Sequence, residues 1–335
     1  MKRLIVEIFA LRKIGHEVIL VSSGAVGTGR QLLSKLESTE NKQIWAAVGQ
    51  PILMQLYAES AKEFGAEVGQ VLILRSELTD RQRYDTLVKV LDGMLKIGIL
   101  PVINGNDVIS LADLLTSDND LLAGMVAIVA RADRLVILTN QQGLFTADPN
   151  LDKSAQLVKE VENIDFEFER LCSNTKSTPG RGGMLSKVRA AKHAANAGIE
   201  TYIVDGGEKD ILLKIFSSGG VGTKIKASGA PQMTEHKRWL LAAKGFGQLI
   251  VDDGAVKALR NSKSLLFPGI VSIRGLFGKA EIVEVIDKTG LAVAYGKINY
   301  NHTELAEALV EKKSLNKIKF EKEIIHYDHM AVMKV

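Results

Sequence analysis

Ile99-Leu-Pro-Val-Ile-Asn104, running on into Gly105-Asn-Asp107, is the stretch that decides the fold. Its apolar run fits a buried strand, and the amides and carboxylate that follow mark the point where the chain leaves the core. Four more runs have this form: Glu17–Ser22, Glu67–Leu74, Arg134–Thr139 and Glu200–Val204. Helical patterns separate them, so the sequence predicts an α/β unit of βαβ repeats: a mostly parallel sheet sandwiched by helices. Ligands of such folds sit at the carboxyl ends of the strands. Ser22-Ser-Gly24, Asn104–Asp107 and Thr139-Asn140 all fall there.

Near residue 230 the texture changes, and Ser228-Gly-Ala-Pro231 reads as a linker between a domain at 1–230 and another at 236–335. Short β-like runs follow at Gln248–Val251, Gly269–Ile273, Glu281–Ile286 and Leu291–Lys297. Asp252-Asp-Gly254, Phe267-Pro-Gly269 and Lys288-Thr-Gly290 read as the turns between them, which predicts a small β-barrel or sandwich. A chain of 335 residues, 46% of them hydrophobic, can fill two such cores. No run of about 18 apolar residues predicts a membrane span, and Met1-Lys-Arg-Leu-Ile-Val-Glu7 lacks the apolar core of a signal peptide. Cys172 is the single cysteine, so no internal disulfide forms and a cytoplasmic location is expected. The first two thirds are near neutral, whereas the last hundred residues carry an excess of about five positive charges. Acidic residues interrupt that excess, so a solvated face is expected there and not a nucleic-acid footprint.

Gly180-Arg-Gly-Gly-Met-Leu-Ser-Lys187 places a glycine cluster and a lysine at the start of a helical pattern that Gly198 ends. One reading is a phosphate cradle of backbone N–H groups, a helix dipole and a mobile cation. The other is a flexible loop capping a buried helix. Ser23 and Gly24 form either an anion-binding turn or a plain strand-to-helix turn. Asp107 is suited to an ammonium group or to an Asx-turn. Ser117-Asp-Asn-Asp120 precedes the apolar helix Leu121–Ala130, where one such residue would serve as a cap. Asp120 is read as the group that positions cationic side chains.

Taken together, Val21-Ser-Ser-Gly-Ala25, Ala46-Ala-Val-Gly-Gln50, Pro101–Asp107, Asp118-Asn-Asp120, Gly143–Pro149 and Gly182–Lys187 resemble the glutamate 5-kinase branch of the amino-acid kinase family. Lys237-Arg-Trp239, Asp253-Gly-Ala255, Ser264-Leu-Leu266, Pro268-Gly-Ile270 and Ala294-Tyr-Gly296 are similar to the PUA domain that follows the kinase in that branch. The resemblance implies ATP-dependent phosphorylation of the γ-carboxylate of L-glutamate, the opening step of proline biosynthesis. It implies that Ser23, Asp107 and Asn119 hold glutamate. Thr139, Asn140, Arg181, Gly182, Gly183, Met184, Leu185, Ser186 and Lys187 would contact ATP. Lys187 would stabilise the transferring phosphoryl group, Asp120 would orient cationic side chains, and Mg²⁺ would accompany the nucleotide phosphates. Feedback inhibition by proline and a homo-oligomer are implied as well.

The sequence also departs from the pattern. The family opens on a strand ending in Lys-Gly-Ser/Thr, whereas Arg3–Ile14 reads as the helix after it. Gly105 stands in place of Glu, Ser117 of Gly, Asn140 of Asp, Asp85-Thr86 of Leu-Asn and Arg181 of Thr. Two expectations follow: a kinase read from an internal start, or a homologue that binds nucleotide or amino acid without turnover. RNA binding through the basic C-terminal domain is the third class, and it lacks interleaved basic and aromatic residues.

Overall fold

The computed structural model describes residues 1–33, 42–109, 119–149, 151–165, 168–169, 183–217, 220–228, 233–243, 245, 247–313 and 320–333. Ser117, Asp118, Cys172, Gly180, Arg181, Gly182 and most of the expected linker lie outside the described residues.

The N-terminal unit runs α1 (Lys2–Lys13), β1 (Leu20–Val21), α2 (Ala25–Leu33), α3 (Lys42–Lys62), β2 (Val68–Ile73), α4 (Arg81–Lys96), β3 (Leu100–Gly105), α5 (Asn119–Val129) and β4 (Arg134–Thr139). It continues with β5 (Glu160–Val161), α6 (Met184–Asn196), β6 (Glu200–Asp205), α7 (Ile211–Ser217) and β7 (Thr223–Ile225). The five strands expected here are all present, Arg134–Thr139 with both ends as expected and the others with ends moved by at most three residues. Strand β3 alternates strictly: Leu100 and Val102 enter the core formed by α1, α3 and α7, and Ile103 enters the core formed by α4, α5 and α6. In β6, Tyr202 and Val204 face the first core and Ile203 the second. A period of two between two apolar layers is what a strand covered on both faces requires.

The strands form two sheets, β1-β3-β2 and β4-β6-β7-β5. All pairs are parallel except β6 with β7. Strands β1 and β4 are edges of their sheets among the described residues. Helix α5 packs on β1 and β3 of one sheet and on β4 of the other, and so ties the two together.

Helices α2 and α3 form the closest contact in the unit. A Cβ on Gly29 would lie 1.9 Å from the Trp45 carbonyl oxygen, and one on Gly49 would lie 1.9 Å from that of Ala25. Only glycine permits this approach. Helix α6 is rich in alanine, with Ala190, Ala191 and Ala194 fully buried, and Gly198 at φ +82° turns the chain after it.

The C-terminal unit comprises α8 (Glu235–Ala242), β8 (Gln248–Val251), α9 (Asp253–Arg260), β9 (Ile270–Arg274), β10 (Ile282–Ile286), β11 (Ala292–Lys297), α10 (His302–Lys313) and β12 (Met330–Val332). Its sheet has the order β12-β11-β10-β8-β9 and is antiparallel apart from β8 with β10. The expected barrel is therefore an open, mostly antiparallel five-stranded sheet, with no closed barrel among the described residues. The expected turn at Asp252-Asp-Gly254 is a helix start: the Asp252 side chain accepts the Ala255 N–H at 2.7 Å and caps α9. A carboxylate placed to take an orphan N–H favours a helix over a turn.

The two units share packing. Leu240, Leu241, Ile282, Tyr295 and Ala331 belong to the same buried cluster as α5 and α6. Trp239 Nε1 donates to the Leu78 carbonyl at 3.0 Å, and the Arg81 guanidinium lies over both the Tyr84 and Trp239 rings. Burial pushes the Tyr84 hydroxyl up to about 12. No helix among the described residues is long and apolar enough to cross a membrane.

Candidate functional site

The first turns of α5 and α6 meet. The α6 N-cap is Gly183, extended at φ −72° and ψ 173°, so the helix begins at Met184 and Lys187 lies in its first turn, not ahead of it. No side chain caps this end. Asp120, in the first turn of α5, accepts from Lys187 Nζ at 2.7 Å and from Ser186 Oγ at 3.0 Å. Ser186 Oγ also lies 2.9 Å from the Gly183 carbonyl. The Lys187 and Asp120 side chains are mostly buried, 14% and 18% exposed. Fixed between one carboxylate and one helix end, that cation is oriented before any anion arrives. Helix α5 begins two residues earlier than the expected Leu121, so Asn119 and Asp120 are helical residues and not a preceding cap.

Asn119 carries the geometry on to the carboxyl ends of β1 and β3. Its Nδ2 donates to the Ser22 carbonyl at 3.0 Å and to Asn104 Oδ1 at 3.1 Å. Asn104 Oδ1 also accepts the Gly105 N–H, and Asn104 Nδ2 donates to Gln50 Oε1, each at 2.9 Å. Asn104 and Gln50 are both buried; the Asn104 amide is hydrogen-bonded through both its nitrogen and its oxygen, whereas Gln50 Nε2 has no hydrogen-bond partner among the described residues. A Cβ on Gly105 would stand 3.3 Å from Asp107 Oδ1 and 3.5 Å from Asn119 Oδ1, so the two oxygens flank the same point. Asp107, Asn119, Asp120 and Lys187 thus gather at one edge of the first sheet.

Ser23, singled out in the sequence, is exposed at the end of β1. Ser22 beside it is buried, and its Oγ lies 2.8 Å from the Tyr57 hydroxyl. Burial raises the Tyr57 pKa, and the hydrogen bond with Ser22 opposes the shift. Gln50 and Tyr57 were not picked out as site residues by the sequence pattern. Their signal was available: both sit on the buried stripe of α3 with Ala46, Gly49 and Leu53, where polar residues are unusual.

Thr139 and Asn140 stand apart, at the carboxyl end of β4 in the second sheet. Thr139 is half-buried and Asn140 exposed, with 3.4 Å between Thr139 Oγ1 and Asn140 Oδ1. The Thr139 carbonyl accepts the Gly206 N–H at 2.8 Å. A cavity of about 390 Å³ opens at this end, lined by Arg3, Glu7, Leu138 and Gly206 among others. Arg3 donates to the carbonyls of Gly206 and Gly207. Glu7 is buried and accepts the Leu212 N–H at 2.9 Å. Arg181 and Gly182 belong to the same expected nucleotide loop but lie outside the described residues.

The Amino acid kinase family model matches residues 1–205, and the PUA domain model matches residues 247–321. Over 98% of this chain and 90% of the relative, the sequence is 37% identical to the Glutamate 5-kinase of Paraburkholderia phymatum. At the same coverage it is 38% identical to the Glutamate 5-kinases of Burkholderia thailandensis and Nitrosospira multiformis. Among solved structures, an isopentenyl phosphate kinase in complex with substrate superposes at a TM-score of 0.45 and 19% identity, covering 67% of this chain and 89% of that one. The chain belongs to the amino acid kinase family and carries a PUA domain after its kinase unit.

Proposed function

We propose that this chain transfers the γ-phosphoryl group of ATP to the γ-carboxylate of L-glutamate, giving L-glutamyl 5-phosphate and ADP, the first step of proline biosynthesis. Identity of 37–38% to glutamate 5-kinases over nearly the whole chain supports the substrate. The observation that carries the chemistry is the Lys187–Asp120 pair, set beside the Asn119–Asn104 amides.

In this reading Ser23, Asp107 and Asn119 hold glutamate. The Asp107 carboxylate suits the substrate ammonium, and Asn119 suits a carboxylate oxygen. A γ-carboxylate oxygen attacks the γ-phosphorus in line, the bond from that phosphorus to the β–γ bridging oxygen breaks, and ADP leaves with the electron pair. The attacking carboxylate is already ionised at neutral pH, so no general base is required. Lys187 neutralises charge on the transferring group, and Asp120 and Ser186 hold it in place. Gly183, Met184 and Leu185 offer backbone N–H groups to the nucleotide phosphates at an uncapped helix end, Ser186 lies beside them with its own N–H bonded to the Gly183 carbonyl at 3.1 Å, and Thr139 and Asn140 stand at the opposite sheet. No group of three His, Cys, Asp or Glu side chains gathers among the described residues to cage a metal. Mg²⁺ fits as an ion held mainly by nucleotide phosphates, where it would supply charge neutralisation.

The same reading carries inhibition by proline near Asp107, self-association through the kinase unit, a cytoplasmic location, and a division into a kinase domain at 1–230 and a PUA domain at 236–335. The test is ADP release by the purified chain with Mg-ATP, with and without L-glutamate, trapping the acyl phosphate with hydroxylamine. Glutamate-dependent hydroxamate is the expected result. A folded, ATP-binding protein that forms none would overturn catalysis and leave a binding protein.

A further inference from the structure

Helix α6 is held at both ends by different parts of the molecule. Its first turn presents Lys187 to Asp120, as described above. Its last turn is gripped by the C-terminal unit: Asn196 Nδ2 donates to the Tyr295 hydroxyl at 2.8 Å, and Lys192 Nζ donates to the Gly290 carbonyl at 3.0 Å. The His193 and Tyr295 rings meet edge to face at 6.2 Å.

The grip is rigid on the C-terminal side. Tyr295 in β11 lies opposite Glu284 in β10 and donates its hydroxyl proton to Glu284 Oε1 at 2.9 Å. Gln248 of β8 donates to the other carboxylate oxygen at 2.7 Å. Glu284 is 1% exposed and Tyr295 fully buried. Burial and the neighbouring carboxylate raise the Tyr295 pKa, so the hydroxyl keeps the proton that this chain of bonds needs. A buried carboxylate with partners on both neighbouring strands is costly to leave unpaired, which opposes any slip of the contact.

Geometry makes the two attachments complementary. Nine residues separate Lys187 from Asn196, which at about 100° per residue puts them on opposite faces, roughly 13 Å apart along the axis. A helix pinned on one face at one end can still roll about its axis. Pinning the opposite face at the other end fixes roll and slide together. Along its length α6 is also pressed against α5, where a Cβ on Gly124 would lie 3.0 Å from the Ala190 carbonyl oxygen. A shift at Asn196 therefore moves Lys187 and does not dissipate in loose packing.

We propose that the PUA domain is a positioning device for phosphoryl transfer: Tyr295, held by Glu284, fixes Asn196 and so sets where Lys187 meets the transferring group. This rests on the proposed role of Lys187. Tyr295, Glu284 and Asn196 are positioning residues and touch no reacting atom.

The experiment uses the full-length chain with Tyr295→Phe, Asn196→Ala and the double variant. Glutamate-dependent hydroxamate formation is measured alongside hydrogen exchange of the backbone amides of residues 184–188. Each single variant is expected to lower kcat by about tenfold, in keeping with small misplacements of a catalytic group, with KM for L-glutamate unchanged. The double variant is expected to be no slower than the worse single one, since both substitutions break one bond. Exchange at 184–188 is expected to quicken in all three. Independent, multiplying losses in kcat, or unchanged exchange at 184–188 in Tyr295→Phe, would overturn the proposal. If the unsubstituted chain forms no hydroxamate, the catalytic reading has failed, and the exchange measurement still decides whether Tyr295 orders the Lys187 turn.

Discussion

Around Asn119, buried side chains hold one another in place: Asn104 bridges it to Gln50, and Tyr57 meets Ser22. Around Thr139 the described residues offer an exposed amide, a half-buried hydroxyl and backbone. The first arrangement is shaped before a ligand arrives, and the second leaves its precision to backbone groups. A small zwitterion such as glutamate has few atoms to recognise, so each partner must be held firmly. A nucleotide brings several phosphate oxygens, and helix-end N–H groups can take them without dedicated side chains. Lys187 pairs with Asp120, next to Asn119 in α5.

The sharpest way to break this contrast is at Lys187 itself. Lys187→Met is expected to lower kcat by about 10²–10³-fold, the usual cost of removing one charge-stabilising group, measured as glutamate-dependent hydroxamate. A loss below fivefold would mean that another cation carries the transfer. Next comes Asn104→Leu, which removes one of the two acceptors of the Asn119 amide and leaves the Gln50 carbonyl oxygen without its partner. One such loss costs about 1–3 kcal/mol, so KM for L-glutamate should rise roughly tenfold or more with ATP binding unaffected. Equal damage to both ligands would show that the two regions are not separate. Tyr57→Phe should cost about 1 kcal/mol of stability, seen as a Tm lower by a few degrees with kcat retained. The smallest effect is expected from Asn140→Asp at an exposed position: KM for ATP should change less than about threefold, because solvent screens an exposed charge. A tenfold change would move Asn140 from the periphery into the nucleotide contact.

The strands were legible because each apolar run gives way to polar residues, as Ile103 does to Asn104, although Asn104 is itself buried and still within β3. The pairing of Lys187 with Asp120 was foreshadowed by two helix starts: α6 begins within the glycine-rich stretch, at Met184, and α5 begins two residues before the expected Leu121. Asn119 and Asp120 carry no apolar signal, so the apolar pattern picks up α5 only at Leu121. Asp252 was misread because an Asp-Asp-Gly tripeptide serves equally as a turn and as a cap, and only the Ala255 N–H decides between them. Strand spacing in the C-terminal unit fits a barrel or a sandwich alike, because it does not reveal whether the edge strands β9 and β12 meet. The link from Tyr295 to Asn196 spans 99 positions and leaves no local trace.

The close seating of α2 on α3 has a consequence for how this protein can vary. In a library in which every position is randomised, Gly29 and Gly49 should return as glycine alone, since even a methyl group would collide with a carbonyl of the facing helix. Gly27, two residues before Gly29 on the other face of α2 and with nothing within 4 Å of its missing Cβ, should accept many residues. Survivors of such a selection would therefore trace the contact line between two helices more faithfully than they trace the exposed residues that meet the substrate.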